Sequence, residues 1–171
     1  MFDGHIKVFH SSVAKFFAPS DPAGVGGMHR KWIRAMPSWR GEGPCHDCLF
    51  ATNDPNIKGM LGLHAACAVL FFSFKFNHVL YPYALIQWFS LVGDEPCKEM
   101  GMWMVECDWE EDGMQTMGVI HVDSIVCGAH FIPVYGEEFV PHHINFSNSL
   151  DYYAAYYVNK FTDHHSHEIA F

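Results

Sequence analysis

One long apolar run, interrupted by the dipeptide Asn77-His78, constrains the fold of this chain more than any other feature. On both sides of the dipeptide the chain is rich in Phe, Tyr, Leu, Val and Ile, and aromatic and β-branched residues favour strands. Asn is also a common turn residue. The pattern therefore predicts two strands, 67–76 and 79–89, joined by a turn at Asn77-His78.

Three shorter strands are predicted after this pair, at 102–107, 115–122 and 129–134. An acidic loop follows the first of them. A short helical turn at 124–127 precedes the last, with Asp123 as its capping residue. Five short strands with a brief turn before the last suit a small barrel. We therefore predict a mainly β (α+β) fold with an SH3-like five-stranded barrel at 63–140.

The residues before the barrel, 1–62, are predicted to form an irregular segment packed on it. An extended stretch at 6–17 is followed by loops rich in Gly, Pro and Ser. A short basic helix is predicted at 28–36. It is expected to end at Pro37, because proline cannot continue a helix.

After the barrel, residues 141–171 are predicted to form a C-terminal helix and a histidine-rich tail. Alanines and aromatic residues at helical spacing place the helix at 147–161. The tail is expected to seat on the barrel through polar contacts, with Phe171 buried beside them. The three segments are expected to form one compact unit.

The protein is expected to reside inside the cell. Residues 1–5 show neither the basic start nor the apolar run of a signal peptide. The longest apolar stretch, 65–76, is too short to span a bilayer, so no membrane partner is expected. The six cysteines are interpreted as reduced thiols, because a chain of this length and apolar content does not need disulfides.

The charges are unevenly distributed along the chain. Residues 1–44 hold six basic and three acidic groups, a net +3, whereas residues 91–140 hold one basic and eleven acidic groups, a net −10. The first segment suits a polyanion such as DNA. The second suits basic peptides or other domains of a larger protein. The alternative is that both are ordinary solvated faces.

A small basic and aromatic cluster near the N-terminus is the candidate nucleic-acid site. It consists of Arg30, Lys31, Arg34, Arg40 and Trp39, with Trp32 between the basic residues. Such residues make phosphate contacts and stack on bases. The alternative is an ordinary surface with buried tryptophans.

Aromatic residues on the predicted barrel strands are the candidate peptide site. They are Tyr81, Tyr83, Trp88 and Trp103, with Phe76 beside them. Aromatic rings gathered at a barrel mouth can bind a methylated lysine through cation–π attraction, which would make the chain a reader of chromatin peptides. The alternative is that most of these rings belong to the core.

Two groups of residues are candidate metal ligands. Cys45 and Cys48 form a CxxC, which can hold zinc if two more ligands complete the site. The tail adds His164, His165 and His167, and histidine-rich tracts bind transition metals. The alternative readings are incidental buried thiols and structural polar contacts, so no cofactor is expected.

No catalytic residue is assigned. Asp123 follows an apolar strand, as the first metal-binding carboxylate of an RNase H-like nuclease does, but the supporting βαβ order is absent downstream. No GxSxG, P-loop or GxGxxG motif occurs either. A metal-dependent nuclease remnant is therefore kept as an alternative hypothesis only.

Several longer runs, in order along the chain, carry a family resemblance. They are APSD (18–21), GGMHR (26–30), PSWR (37–40), FFSFKF (71–76), LYP (80–82), ALIQWFS (84–90), GMWMVE (101–106), VIHVD (119–123), AHFIPVYG (129–136), YVNKF (157–161), DHH (163–165) and EIAF (168–171). They resemble the C-terminal region of proteins encoded by Plavaka-type DNA transposons of basidiomycete fungi, relatives of the CACTA group. The resemblance covers nearly the whole chain.

The resemblance implies a nuclear, DNA-associated setting for the full-length protein. In that family the zinc-finger and RNase H-like catalytic portions precede this region, and none of their residues has a counterpart here. The leading hypothesis is therefore a non-catalytic accessory module of a transposase-like protein, which supports assembly or DNA association without cutting DNA.

Overall fold

The computed structural model describes residues 2–18, 22, 24–136, 139–145, 148–162 and 164–171. This part of the chain is mainly β, as predicted. Its strands are β1 (Phe2–Phe9), β2 (Ser11–Phe17), β3 (Met28–Trp39), β4 (Gly43–His46), β5 (Cys48–Thr52), β6 (Leu63–Phe76), β7 (Val79–Leu91), β8 (Met104–Cys107), β9 (Met117–His121), β10 (Ile125–Ala129), β11 (Phe131–Pro133) and β12 (Tyr156–Val158). Its α-helices are α1 (Ser149–Tyr152) and α2 (His164–Ala170). Neither is long and apolar enough to cross a membrane.

Strands β6 and β7 form the predicted hairpin at the centre of the main sheet. Asn77 and His78 both have positive φ, 49° and 65°. Two such residues in succession give a turn whose twist matches that of the flanking strands. The predicted turn is therefore confirmed, and β6 begins at Leu63 rather than at residue 67.

The main sheet nearly closes on itself. Its nine strands include the path β10-β5-β6-β7-β8-β12-β11, with β1 added beside β6 and β9 beside β7. Strands β10 and β11 lie at the two ends of this path, yet His130 alone separates them in the chain. The chain therefore joins both edges of the path, and the result is a barrel-like sheet with more strands than the five predicted.

Strand β5 and the neighbouring parts of β6 and β7 are buried on both faces. Successive side chains of a strand point to opposite sides, and here they enter two different clusters. One buried cluster includes Cys48, Phe50, Ala65, Cys67, Phe89, Val105, Cys107, Cys127, Phe131, Tyr156 and Val158. The other consists of Ile33, Ala35, Leu49, Ala51, Ala66, Ala68, Phe71, Ala84 and Ile86. Burial on both faces explains why this part of the sequence is continuously apolar instead of alternating.

A three-stranded sheet, β2-β3-β4, packs on the second cluster. The basic helix predicted at 28–36 is wrong, because this segment belongs to β3. Ile33 and Ala35 are buried in the cluster at 1% and 2% exposure, and their spacing of two is the period of a strand. Pro37 lies at a shift in the β3–β4 register, a place where a strand tolerates proline. The N-terminal segment is therefore built from strands rather than irregular.

The C-terminal segment also differs from the prediction. The helix expected at 147–161 shrinks to α1, and β12 then pairs with β8 and β11; Ser147 itself lies outside the described residues. Tyr156 and Val158 are 0% and 1% exposed, so their burial in the sheet outweighs the helical propensity of the segment. Phe171 was expected to be buried, but it is 37% exposed.

The helical turn near β10 lies earlier than predicted. A 3-10 turn spans Val122–Ser124, and the residues that follow it belong to β10. Its cap is His121, whose Nδ1 accepts a hydrogen bond from the Asp123 N–H at 3.2 Å. Asp123 is therefore not the capping residue.

Candidate nucleic-acid interface

The three-stranded sheet presents one face to solvent, which we call the outer face. It is formed by the side chains of β2 and β3 that alternate with the buried ones. These are Ser11, Val13, Lys15, Phe17, Met28, Arg30, Trp32, Arg34 and Met36. Trp32 is 64% exposed, whereas the next residue, Ile33, is 1% exposed. The strand period therefore sets apart a basic, aromatic outer face from an apolar inner one.

The β2–β3 register places a second row of side chains beside the predicted cluster. Lys15 lies opposite Arg30, and Val13 lies opposite Trp32. Directly opposed residues of an antiparallel pair share a face. Lys15 therefore joins the basic side chains, although the sequence reasoning did not select it. Lys15 could have been found only by predicting that β2 and β3 pair as a hairpin, which places it opposite Arg30.

Trp39 holds two arginines at the end of β3. The guanidinium carbon of Arg34 lies 5.0 Å from the centre of the Trp39 ring, and that of Arg40 lies 5.5 Å from it. Both distances fall within cation–π range. Arg40 and Gly41 have positive φ, 55° and 80°, in the turn that leads into β4. The turn therefore returns Arg40 to the same ring as Arg34.

Asp47 fixes the position of Arg34 and ties β3 to β6. Both the backbone N–H and the Nε of Arg34 donate to Asp47 Oδ2 at 2.9 Å. The hydrogen bond to this carboxylate is the main cause that raises the pKa of Arg34. The N–H of Ala68, on β6, donates to the carbonyl of Asp47 at 3.0 Å. Arg34 is thus held in place by a carboxylate that also offsets part of its charge.

A groove of about 490 Å³ opens on the outer face. It is lined by His10, Ser11, Trp32, Arg34, Met36 and Trp39. Both tryptophans of the predicted cluster thus line one groove, and a guanidinium lies beside them. Indole rings with an adjacent cation are the side chains that stack on bases and contact phosphates.

Lys31 does not belong to the outer face. Its ammonium reaches β10 and donates to the carbonyl of Gly128 at 3.3 Å. The neighbouring Arg30 is exposed on the other side of the strand. Four of the five predicted residues therefore lie in one region, namely Arg30, Arg34, Trp39 and Arg40. The fifth, Lys31, points to the opposite side of β3, because successive side chains of a strand alternate.

The local charge of this sheet differs from that of the whole chain. Residues 11–47, which include the Asp47 carboxylate beside Arg34, hold five basic and three acidic groups, a net +2, whereas the full chain has a net charge of −9. Side chains that contact a polyanion respond to the nearby field, because ions screen distant charges beyond about 8 Å at physiological salt. The outer face is therefore suited to a phosphate backbone.

The four residues of the candidate peptide site do not come together. Tyr81 and Tyr83 share one face of β7, Trp88 lies on the opposite face, and Trp103 is buried at 8% exposure. Phe74 stacks between the two tyrosines, at interplanar angles of 17° and 11°. Nearly parallel rings of this kind form a ladder rather than a box around a cation.

The two candidate cysteine ligands lie in different environments. Cys45 is half-buried on β4, with its thiol 3.9 Å from Asp47 Oδ1. Cys48 is buried on β5 directly opposite Cys67. A hydrogen bond with the Cys67 thiol, and after it burial, raise the pKa of Cys48.

The histidines of the tail are likewise separated. His165 is buried in α2 and stacks on Phe16, with ring centres 4.0 Å apart. His167 is exposed and lies against Phe171, and the side chain of His164 is outside the described set. Across the described residues, no group of three His, Cys, Asp or Glu side chains is arranged to hold a metal ion. The tail therefore seats on β2 through ring stacking.

No protein-family model matches this chain, and no curated protein or solved structure matches it either. The likeness to Plavaka-type proteins therefore rests on the sequence runs given above.

Proposed function

We propose that this protein is a non-catalytic module that binds nucleic acid through the outer face of the β2-β3-β4 sheet. The single observation that carries the proposal is the row formed by Arg30, Trp32 and Arg34 on one exposed strand face, with Lys15 in register beside it. Phosphate contacts by Arg and Lys supply most of the affinity of such proteins.

The context of this activity is also a proposal. The order β5-β6-β7-β9, a 3-10 turn and the return of β10 to β5 supports an SH3-like barrel as the central unit. The resemblance to Plavaka-type proteins supports an accessory role in DNA association or assembly within a transposase-like protein, and a nuclear location. The chromatin-reader alternative has less support, because its four aromatic residues do not lie together. The nuclease-remnant alternative has less support, because the described residues contain no group of three side chains that could hold a metal ion.

The test is salt-dependent binding to labelled DNA, measured by fluorescence anisotropy. In the test variant Lys15, Arg30 and Arg40 are all replaced by Ala; Arg34 is kept because it holds Asp47. We expect affinity to fall about tenfold or more. The slope of log K against log salt should decrease by about 2 to 3, since each lost phosphate contact removes about 0.7 to 0.9.

The matched control replaces Lys58, Lys75 and Lys98 by Ala. These three are also exposed, lie outside the three-stranded sheet, and change the net charge by the same amount. The control should keep the slope of the unmodified chain. Equal losses in both variants would show that binding follows net charge alone, and absence of salt-dependent binding in the unmodified chain would overturn the proposal.

A further inference from the structure

Trp32 and Trp39 line the same groove but differ in what their rings contact. The Trp39 ring carries the guanidinium groups of Arg34 and Arg40 at 5.0 Å and 5.5 Å. Trp32 is 64% exposed, and within the described residues no ring or cation stacks on its indole. Trp39 therefore positions arginines, while the face of Trp32 is open to a planar ligand.

The residues around Trp32 include cations for phosphate groups and polar atoms for a base edge, as the binding of an unpaired nucleotide requires. Arg30 and Arg34 lie two residues away on either side, at roughly 7 Å along the strand. Val13 lies opposite on β2, so a small apolar side chain borders the indole. The groove also holds His10 and Ser11, which supply polar atoms for a base edge. Its volume of about 490 Å³ lies within the range of about 300–1,000 Å³ typical of small-ligand sites.

We infer that Trp32 stacks on an unpaired base, so that the outer face binds single-stranded nucleic acid in preference to duplex. This inference rests on the proposed function and narrows its ligand. In a duplex every base is already stacked, and inserting an indole between two base pairs costs the stacking of that step. An unpaired base stacks on the indole without that cost, while the flanking arginines contact the adjacent phosphates.

The test compares three labelled ligands of matched length, a single-stranded DNA, a single-stranded RNA and a DNA duplex, at one salt concentration. The unmodified chain should bind at least one single strand about tenfold or more tightly than the duplex. Trp32→Leu should remove most of that preference, and Trp32→Phe should retain part of it, because base stacking is worth a factor of about 5 to 150. The two single strands decide between DNA and RNA as the ligand.

The matched control is Trp109→Leu. Trp109 is similarly exposed, at 59%, but lies in the acidic loop between β8 and β9. This variant should bind like the unmodified chain, and thermal unfolding should show that both Leu variants are folded.

The experiment distinguishes failure of the stacking inference from failure of the proposed function. If the duplex binds as tightly as the single strands, or if Trp32→Leu changes nothing while the triple Lys15, Arg30 and Arg40 variant still loses affinity, the stacking inference is overturned and the proposed function stands. If no ligand shows salt-dependent binding, both are overturned.

Discussion

The orientation of β3 can be tested by comparing Ile33→Ala with Trp32→Leu, a matched change one residue away. The proposed function depends on this orientation. The two side chains are adjacent in the chain but lie on opposite faces of the strand, at 1% and 64% exposure. Ile33 belongs to the buried cluster beneath the three-stranded sheet. A large loss of stability from the first change, with little from the second, is therefore expected.

The magnitude follows from the atoms removed. Ile33→Ala deletes three buried carbon atoms, worth about 0.8 kcal/mol each, and the cavity left behind brings the total to about 3 kcal/mol. Trp32→Leu removes mainly surface that already faces water, so about 0.5 kcal/mol is expected. In a chain of this size 1 kcal/mol shifts the melting temperature by about 2–4 °C. The expected losses are thus roughly 6–12 °C and roughly 1–2 °C.

The assay is thermal unfolding followed by circular dichroism, repeated as urea unfolding at 25 °C to obtain free energies. Both variants should keep the β-type spectrum at low temperature. A larger loss for Trp32→Leu than for Ile33→Ala would refute the reasoning. It would mean that the indole is buried, that β3 faces the other way, and that the outer face is not a binding surface.

Two further predictions concern the main sheet and the thiols. A Cβ at Gly118 would meet the Trp88 indole, whose Cε2 would lie 3.1 Å away. Gly118→Ala should therefore lower the free energy of unfolding by about 1–3 kcal/mol and alter tryptophan fluorescence. An unchanged melting temperature would contradict this packing. Hydrogen bonds from the backbone, first at Met100, lower the pKa of Cys97, whereas burial raises the pKa of Cys107 to about 12. At pH 8 iodoacetamide should therefore label Cys97 first, and peptide mass spectrometry would contradict this if both react equally. The pKa of Cys107 is near 9.0 in the unfolded chain and about 12 in the folded one, so the folded state holds this proton more tightly. The stability that this difference contributes is complete below pH 9 and is lost as the pH rises towards 12.

The hairpin could be predicted from the sequence because its signal is local. The parts of β6 and β7 that are buried on both faces require a continuous apolar run, and Asn77-His78 interrupts the apolar residues where the turn occurs. The β6–β7 pairing depends on neighbours in the chain, so no distant contact has to be known. The same holds for the basic and aromatic character of the residues around Arg30, which the sequence shows directly.

The rest depends on partners distant in sequence. Strand β3 carries just two fully buried side chains, Ile33 and Ala35, and their spacing is visible as a strand pattern only once the second cluster is known. Likewise, Tyr156 is fully buried because β8 and β11 flank β12, and no local pattern at 147–161 reveals those strands. Predicting a helix at 28–36 instead of β3 also misplaced Lys31. In a strand, Lys31 and its neighbour Arg30 point to opposite faces.

The location of the proposed binding surface depends on which strands are covered on one face only. A strand buried on both faces, such as β5, has no position left for a side chain that meets a ligand, so binding residues must come from strands covered on one face. The outer face and the end of the β6–β7 hairpin are two surfaces of this kind. At the hairpin end Ile6 and Val8 of β1, at 59% and 52% exposure, lie beside the Phe74–Tyr81 ladder, and Lys7 and Lys75 are exposed there as well. The outer face combines cations, an open indole and a groove, the three features that a single-stranded nucleic acid requires, and this combination favours it over the hairpin end as the proposed binding surface.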